Sequence, residues 1–244
     1  PDANSWTEIR LPLNDRTAMR LENLQGMFID PDVMSPLLLL FLKKLRKITI
    51  IDQLDLDDAG SRSERCLQRI DIGSNVIQLH DNNDIEKWMV VRRRLSNLDI
   101  RRSNTDATDI AIAIPIDDGE YRTCDVFSFL PVDDYGFKFV VQADFILTSS
   151  REKVSEKAWN EQIRDHVHEL FVDILRLVRD HQQTSDIDES VSSLSIAQLL
   201  QRIPVEKDLK SFFKPVATKI RDALRSEPCV PTTDGYWCGV NDVV

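Results

Sequence analysis

The sequence predicts an α/β (α+β) protein in which a mixed sheet packs against helices. Short runs rich in Val, Ile, Phe and Thr recur at strand length between Ile48 and Ala143. Apolar residues then recur at helical spacing from Trp159 to Val178. Acidic and polar stretches at Asp55–Ser63, Asp99–Asp109 and Gln182–Ser193 separate these blocks and read as loops or linkers.

The elements follow in chain order. Trp6–Leu13 alternates apolar and polar residues and reads as a strand, and Arg16–Phe28 reads as helical. The run Pro36-LLLLFLKKLRK has proline near its first turn and cations near its end, which predicts a helix. Ile48–Ile51 is a β-branched run fit for a buried strand. Strands are expected at Cys66–Ile72, Val76–Leu79, Lys87–Arg92 and Ile110–Pro115. A hairpin is expected from Val126–Leu130 and Phe137–Ala143, joined by a turn at Pro131–Gly136 that holds one Pro, two Asp and one Gly. From Glu152 one long amphipathic helix is expected, burying Trp159, Ile163, Val167, Leu170, Phe171, Ile174, Leu175 and Val178. Ile196–Ile203 reads as a short helix ended by Pro204, and Leu209–Leu224 as another, bent near Pro215. The tail Pro228–Val244 reads as strand and turn.

Composition narrows the function classes. The chain has 244 residues, with 41 acidic against 31 basic side chains and a formal net charge of −10. That balance argues against general nucleic-acid affinity, which needs a basic face. The basic run Arg92-Arg93-Arg94, with Arg101 and Arg102, reads as a solvated surface paired with local acids. Seven glycines leave little for a phosphate loop, and neither GxGxxG nor GxxxxGK[ST] is present. Cys66, Cys124, Cys229 and Cys238 are scattered, so reduced thiols are expected rather than a disulfide frame or a zinc site. His166 and His168 are two apart and do not share a helix face, and Asp52, Asp55, Asp57 and Asp58 do not match a calcium loop; no metal is expected. The apolar run Leu37–Leu42 is too short to span a bilayer, and no signal peptide is seen, so a cytoplasmic or nuclear location is expected. The start at Pro1 points to a fragment of something longer.

One segment holds candidate chemistry. Ser149 with Glu152 three residues on fits a capping box, which places a helix start near Ser150. Such a start exposes unpaired N–H groups, and an anion there would be met by the hydroxyls of Ser149 and Ser150 and the guanidinium of Arg151. The plain alternative is an arginine that pairs with a nearby carboxylate or with water.

The run 126–160 also resembles a known family. The matching pieces are Phe129-Leu130-Pro131, Gly136-Phe137, Gln142-Ala143-Asp144-Phe145, Ser149-Ser150-Arg151-Glu152 and Trp159-Asn160. They are similar to the region that follows the ATP-binding domain in the sacsin-like and NO VEIN-like branch of the Hsp90-like (GHKL) ATPases. Thr7–Leu13, Leu38–Ile50 and Val230-Pro231-Thr232 with Gly235-Tyr236-Trp237 resemble flanking parts of the same family. In its chaperone branch a Ser-Arg-Glu loop carries an arginine that reaches the γ-phosphate of ATP in the neighbouring domain. The resemblance gives that role to Arg151, with Ser155 standing where the chaperone loop has glutamine.

The resemblance implies a middle, transducer-like domain over residues 16–185. Residues 1–15 would be the last strand of an upstream ATPase-type domain or a linker, and 186–244 a helical region and the start of a further unit. The family's Glu and Asn pair and its Asp-x-Gly-x-Gly loop are absent from this sequence. ATP and Mg²⁺ are therefore expected only through an upstream domain, with none bound by this chain alone, and the chain is not expected to be an enzyme by itself. Expected partners are that upstream domain, a client or partner protein, and a second copy in a dimer, with no membrane and no nucleic acid. A non-catalytic protein–protein interaction module is the alternative from another class. An independent hydrolase has no nucleophile–base pair to support it.

Overall fold

The computed structural model of the chain describes residues 34–56, 62–73, 75–100, 105–116, 122–183, 194–234 and 236–239, with Gly26, Asp30 and Arg102. The strand expected at residues 6–13 lies outside them, as does nearly all of the helix expected at 16–28. The loop expected at 55–63 and the polar stretch at 182–193 are described only at their ends.

Eight strands form one sheet: β1 (Lys47–Leu56), β2 (Arg62–Asp71), β3 (Val76–Asp81), β4 (Asp84–Leu95), β5 (Thr108–Pro115), β6 (Cys124–Ser128), β7 (Leu130–Phe137) and β8 (Val140–Ala143). Their order is β1-β2-β3-β4-β5-β8-β6-β7. All neighbours are antiparallel except β6 and β8, which run parallel with Val126 opposite Val141. Four helices follow among the described residues: α1 (Ala158–Asp165), α2 (Val167–Gln183), α3 (Ile196–Gln201) and α4 (Lys214–Leu224). A short hairpin of β9 (Val230–Pro231) and β10 (Trp237–Cys238) ends the described chain. The mixed sheet with packed helices is the α+β architecture expected.

Strand alternation builds two cores from one sheet. Met89, Val91, Ile110, Ile112, Ile114, Val126 and Val141 face the helices. Trp88, Val90, Ala111, Ala113, Phe127 and Val140 face the other way, under Leu39, Leu40 and Phe41. With both faces covered, β5 reads IAIAI rather than alternating with polar residues. On the helix side Trp159, Ile163, Val167, Leu170, Phe171, Ile174, Leu175 and Val178 are all buried, as their spacing predicts. Ile196, Leu199, Val216 and Ile220 of α3 and α4 join the same core. Phe213 packs among four rings, with centroids 4.8 Å from Tyr135, 5.3 Å from Phe137, 6.0 Å from Phe145 and 4.9 Å from Phe212.

Four local expectations need correction. The helix expected from Pro36 is a single 3-10 turn, Pro36–Leu39, capped by Ser35. Its next carbonyls go elsewhere: Arg69 donates to Leu39 O and Leu40 O at 3.2 and 2.8 Å, which lays Leu39, Leu40 and Phe41 flat on the sheet. The turn expected at Pro131–Gly136 is part of strand β7, and the expected hairpin partners pair in parallel as β6 and β8. Pro131 is tolerated because β7 is the last strand of the sheet, and Asp134 and Gly136 make its irregularity: the Gly136 N–H donates to Asp134 Oδ1 at 2.7 Å. The long helix begins at Ala158 rather than near Glu152 and breaks at His166. Pro215 stands in the first turn of α4, where its missing N–H costs no bond, so the helix starts there instead of bending.

Gly136 has φ +89°, and a methyl group there would meet Asp208 O at 2.0 Å. Gly136→Ala should therefore destabilise the fold by at least about 2 kcal/mol, from left-handed strain plus the clash. Urea unfolding checks this; an unchanged midpoint would mean that β7 does not approach residue 208.

Candidate functional site

The candidate residues sit on a tight turn, not on a helix. Leu147 and Val154 form an antiparallel bridge, and the chain reverses between them. The Thr148 N–H donates to Lys153 O, and the Arg151 N–H donates to Thr148 O, both at 2.9 Å. Arg151 closes the reversal with φ +62°, a conformation uncommon for a residue with a side chain. The capping box expected between Ser149 and Glu152 does not form. Its physical competitor is Val154, which is buried in the helix-side core and pulls residues 152–157 out of helical register.

This turn stands on a hydrogen-bonded base. Asn160, the third residue of α1, is fully buried. Its Oδ1 accepts from the Ile146 N–H at 2.9 Å, and its Nδ2 donates to Ile146 O at 2.8 Å and Ser155 O at 2.7 Å. The Val154 N–H donates to the Tyr135 hydroxyl at 2.8 Å. Burial holds that phenol above its ordinary pKa, so it is neutral at physiological pH. Ser155 turns inward and donates through Oγ to Ile146 O at 2.7 Å. Ser155 thus serves the base of the turn.

The tip is open. Ser149, Ser150, Arg151 and Glu152 are all exposed. The hydroxyls of Thr148 and Ser150 lie 3.3 Å apart. Arg151 has no ion pair among the described residues, unlike Arg93, Arg94 and Arg102, which pair with carboxylates. Chemically the tip offers a guanidinium and three hydroxyls on a short arm.

Other groups take structural roles. Burial pushes the Cys124 thiol up to about 12, so it is not a nucleophile at neutral pH. His166 contacts Glu169 Oε1, and His168 contacts the Asp165 carbonyl, each at 2.8 Å. Among the described residues no group of three His, Cys, Asp or Glu side chains is placed to hold a metal, and no helix is long and apolar enough to cross a membrane. The sequence does not single out Asn160 or Tyr135 as supports of the site. The first looks like any helix-start asparagine, and the second lies in what reads as a turn.

The chain is similar to Protein NO VEIN of Arabidopsis thaliana, at 32% identity over 240 residues. The match takes in 94% of this chain and 8% of that protein's length, so the chain spans a small part of its relative. No protein-family model matches, and no solved structure matches.

The Asn160 clamp can be tested directly. Asn160→Ala removes a fully buried carboxamide and leaves the half-buried Ile146 N–H without its acceptor, at a cost of about 1–3 kcal/mol. The melting temperature should fall by roughly 3–10 °C at this chain length. Asn160→Asp should do no better, because a carboxylate cannot donate to the two carbonyls. An Asp variant as stable as the parent chain would contradict the clamp.

Proposed function

We propose that this chain is a non-autonomous middle segment of an Hsp90-like ATPase or chaperone-like protein. It would couple the nucleotide state of an adjoining domain to conformation, with Arg151 as the γ-phosphate contact and Ser149 and Ser150 beside it. ATP and Mg²⁺ would be held by that adjoining domain. The single observation that carries the reading is an exposed arginine without an ion pair among the described residues, held in a left-handed conformation on an anchored base. Backbone strain of this kind is retained where the surroundings over-determine it, often at functional sites.

The chemistry agrees. Phosphoryl transfer needs positive charge delivered to the γ-phosphate as charge shifts in the transition state. An arginine on a separate domain delivers that charge only on closure, which ties hydrolysis to conformation. The similarity to Protein NO VEIN supports a large intact protein around this segment. The second reading, a non-catalytic interaction module, draws on Phe129 and Leu130, neighbouring apolar residues that are 41% and 54% exposed.

The test is nucleotide turnover by the longer protein. Arg151→Ala should lower it by at least about a hundredfold if the arginine acts as such fingers do. Arg151→Lys should recover little, since the two-pronged contact is lost. Unchanged turnover in Arg151→Ala would overturn the coupling role and favour the interaction module.

A further inference from the structure

The sheet face opposite the helices carries a cleft of about 620 Å³. Its walls come from distant parts of the sequence: Phe41 and Lys43 from the covering segment, Arg46 before β1, Arg69 from β2, Arg92 and Arg94 from β4, and Phe129 from the β6–β7 turn. None of residues 148–152 lines it.

The charges in this cleft do not balance. Arg46 and Arg69 share one carboxylate, Asp71, at 3.3 and 2.8 Å. Arg94 and Lys43 share another, Asp109, at 3.0 and 3.8 Å. Arg92 lies among them with no carboxylate partner among the described residues; its guanidinium reaches only Leu40 O, at a long 3.5 Å. Five cations thus face two carboxylates. The imbalance is local, because the whole chain carries a net charge of −10. Strand alternation creates it. Arg93, between the other two, points to the helix side and pairs with Glu169 and Asp173 of α2. Arg102 and Asp144, at the margin, neutralise each other.

Arg92 is open to the cleft yet ringed by protein. Burial lowers its pKa, the charge of Arg69 lowers it further, and Asp71 acts against that shift while Arg46 adds to it. A bound anion would relieve that repulsion and supply the missing partner. The cleft also has an apolar wall. Phe41 lies in the floor, and Phe129 stands at the mouth with φ +64°, its N–H donated to Gln142 Oε1 at 2.8 Å. The volume is that of a small-molecule pocket and far exceeds one phosphate ion. A nucleic-acid backbone, by contrast, needs a basic track along the surface, and the rest of this chain is acidic.

We infer that this cleft binds a small organic phosphate, its phosphate among Arg92, Arg46 and Arg94 and its organic part along Phe41 and Phe129. The site is independent of the role given to Arg151.

Calorimetric titration of the chain with phenyl phosphate, inorganic phosphate and phenylacetate tests it. Phenyl phosphate should bind most tightly of the three. Arg92→Ala should weaken it by roughly tenfold or more, the loss of a charge-assisted contact. Arg92→Gln, which keeps much of the aliphatic stem, should weaken it likewise and serves if the alanine variant fails to fold. Arg225→Ala, at an exposed arginine that does not line the cleft, should leave binding unchanged. No binding of phenyl phosphate, or equal binding by a folded Arg92 variant, would overturn the site. Equal affinity for inorganic phosphate, or tighter binding of phenylacetate, would overturn the ligand class.

Discussion

Asn160 presents one buried carboxamide to a segment whose own ladder is a single bridge, Leu147 to Val154. Both polar groups of Ile146 and the carbonyl of Ser155 close on it. Without that clamp, the half-buried Ile146 N–H would lose its acceptor, and the carbonyls of Ile146 and Ser155 would each lose one of their donors. With it, the part of the segment that faces outward is the tip at Ser149–Lys153. The candidate site therefore follows from a satisfaction problem solved at its base. Tyr135 adds a second fixed point through Val154, and Phe213 packs against the Tyr135 ring. The turn, the last strand of the sheet and the start of α4 thus share one packed corner.

The sheet uses its alternation twice. Apolar residues on the two sides of β4 and β5 serve different cores, one under the helices and one under Leu39–Phe41. The same alternation sorts the arginines of β4. Arg93 fastens the sheet to α2, while Arg92 and Arg94 are left on the opposite face beside Arg46 and Arg69. Arg69 is nearly buried, and its guanidinium holds the covering segment down through backbone carbonyls. Burial lowers its pKa, with Asp71 acting against that shift. One row of charges thus supplies both a structural tie and a cleft rich in positive charge.

The regular parts of the fold were legible in the sequence. The apolar spacing of Trp159 to Val178 marks the buried helix face, and the β-branched runs mark β1, β3, β4 and β5. The irregular parts were not, for identifiable reasons. Pro, Asp and Gly between residues 131 and 136 serve a tight turn and a bulged outer strand equally well, and only the pairing with β6 decides. Ser149 and Glu152 have capping-box spacing, but burial of Val154 in the core outweighs a cap contribution of about 1 kcal/mol. Arg151 could be singled out from its neighbours; its left-handed backbone could not. The cleft arginines are spread from 46 to 94 and meet only through strand register, so the basic run reads as plain solvated surface.

The central claim is a rigid base under an open arginine. Amide hydrogen exchange of the chain, read residue by residue, tests it most directly. The N–H groups of Ile146, Val154 and Ser155 should be protected to nearly the level of the sheet, while those of Ser149 and Ser150 exchange quickly. Base amides that exchange as fast as the tip would contradict the account, since Arg151 would then have no fixed position from which to meet a phosphate.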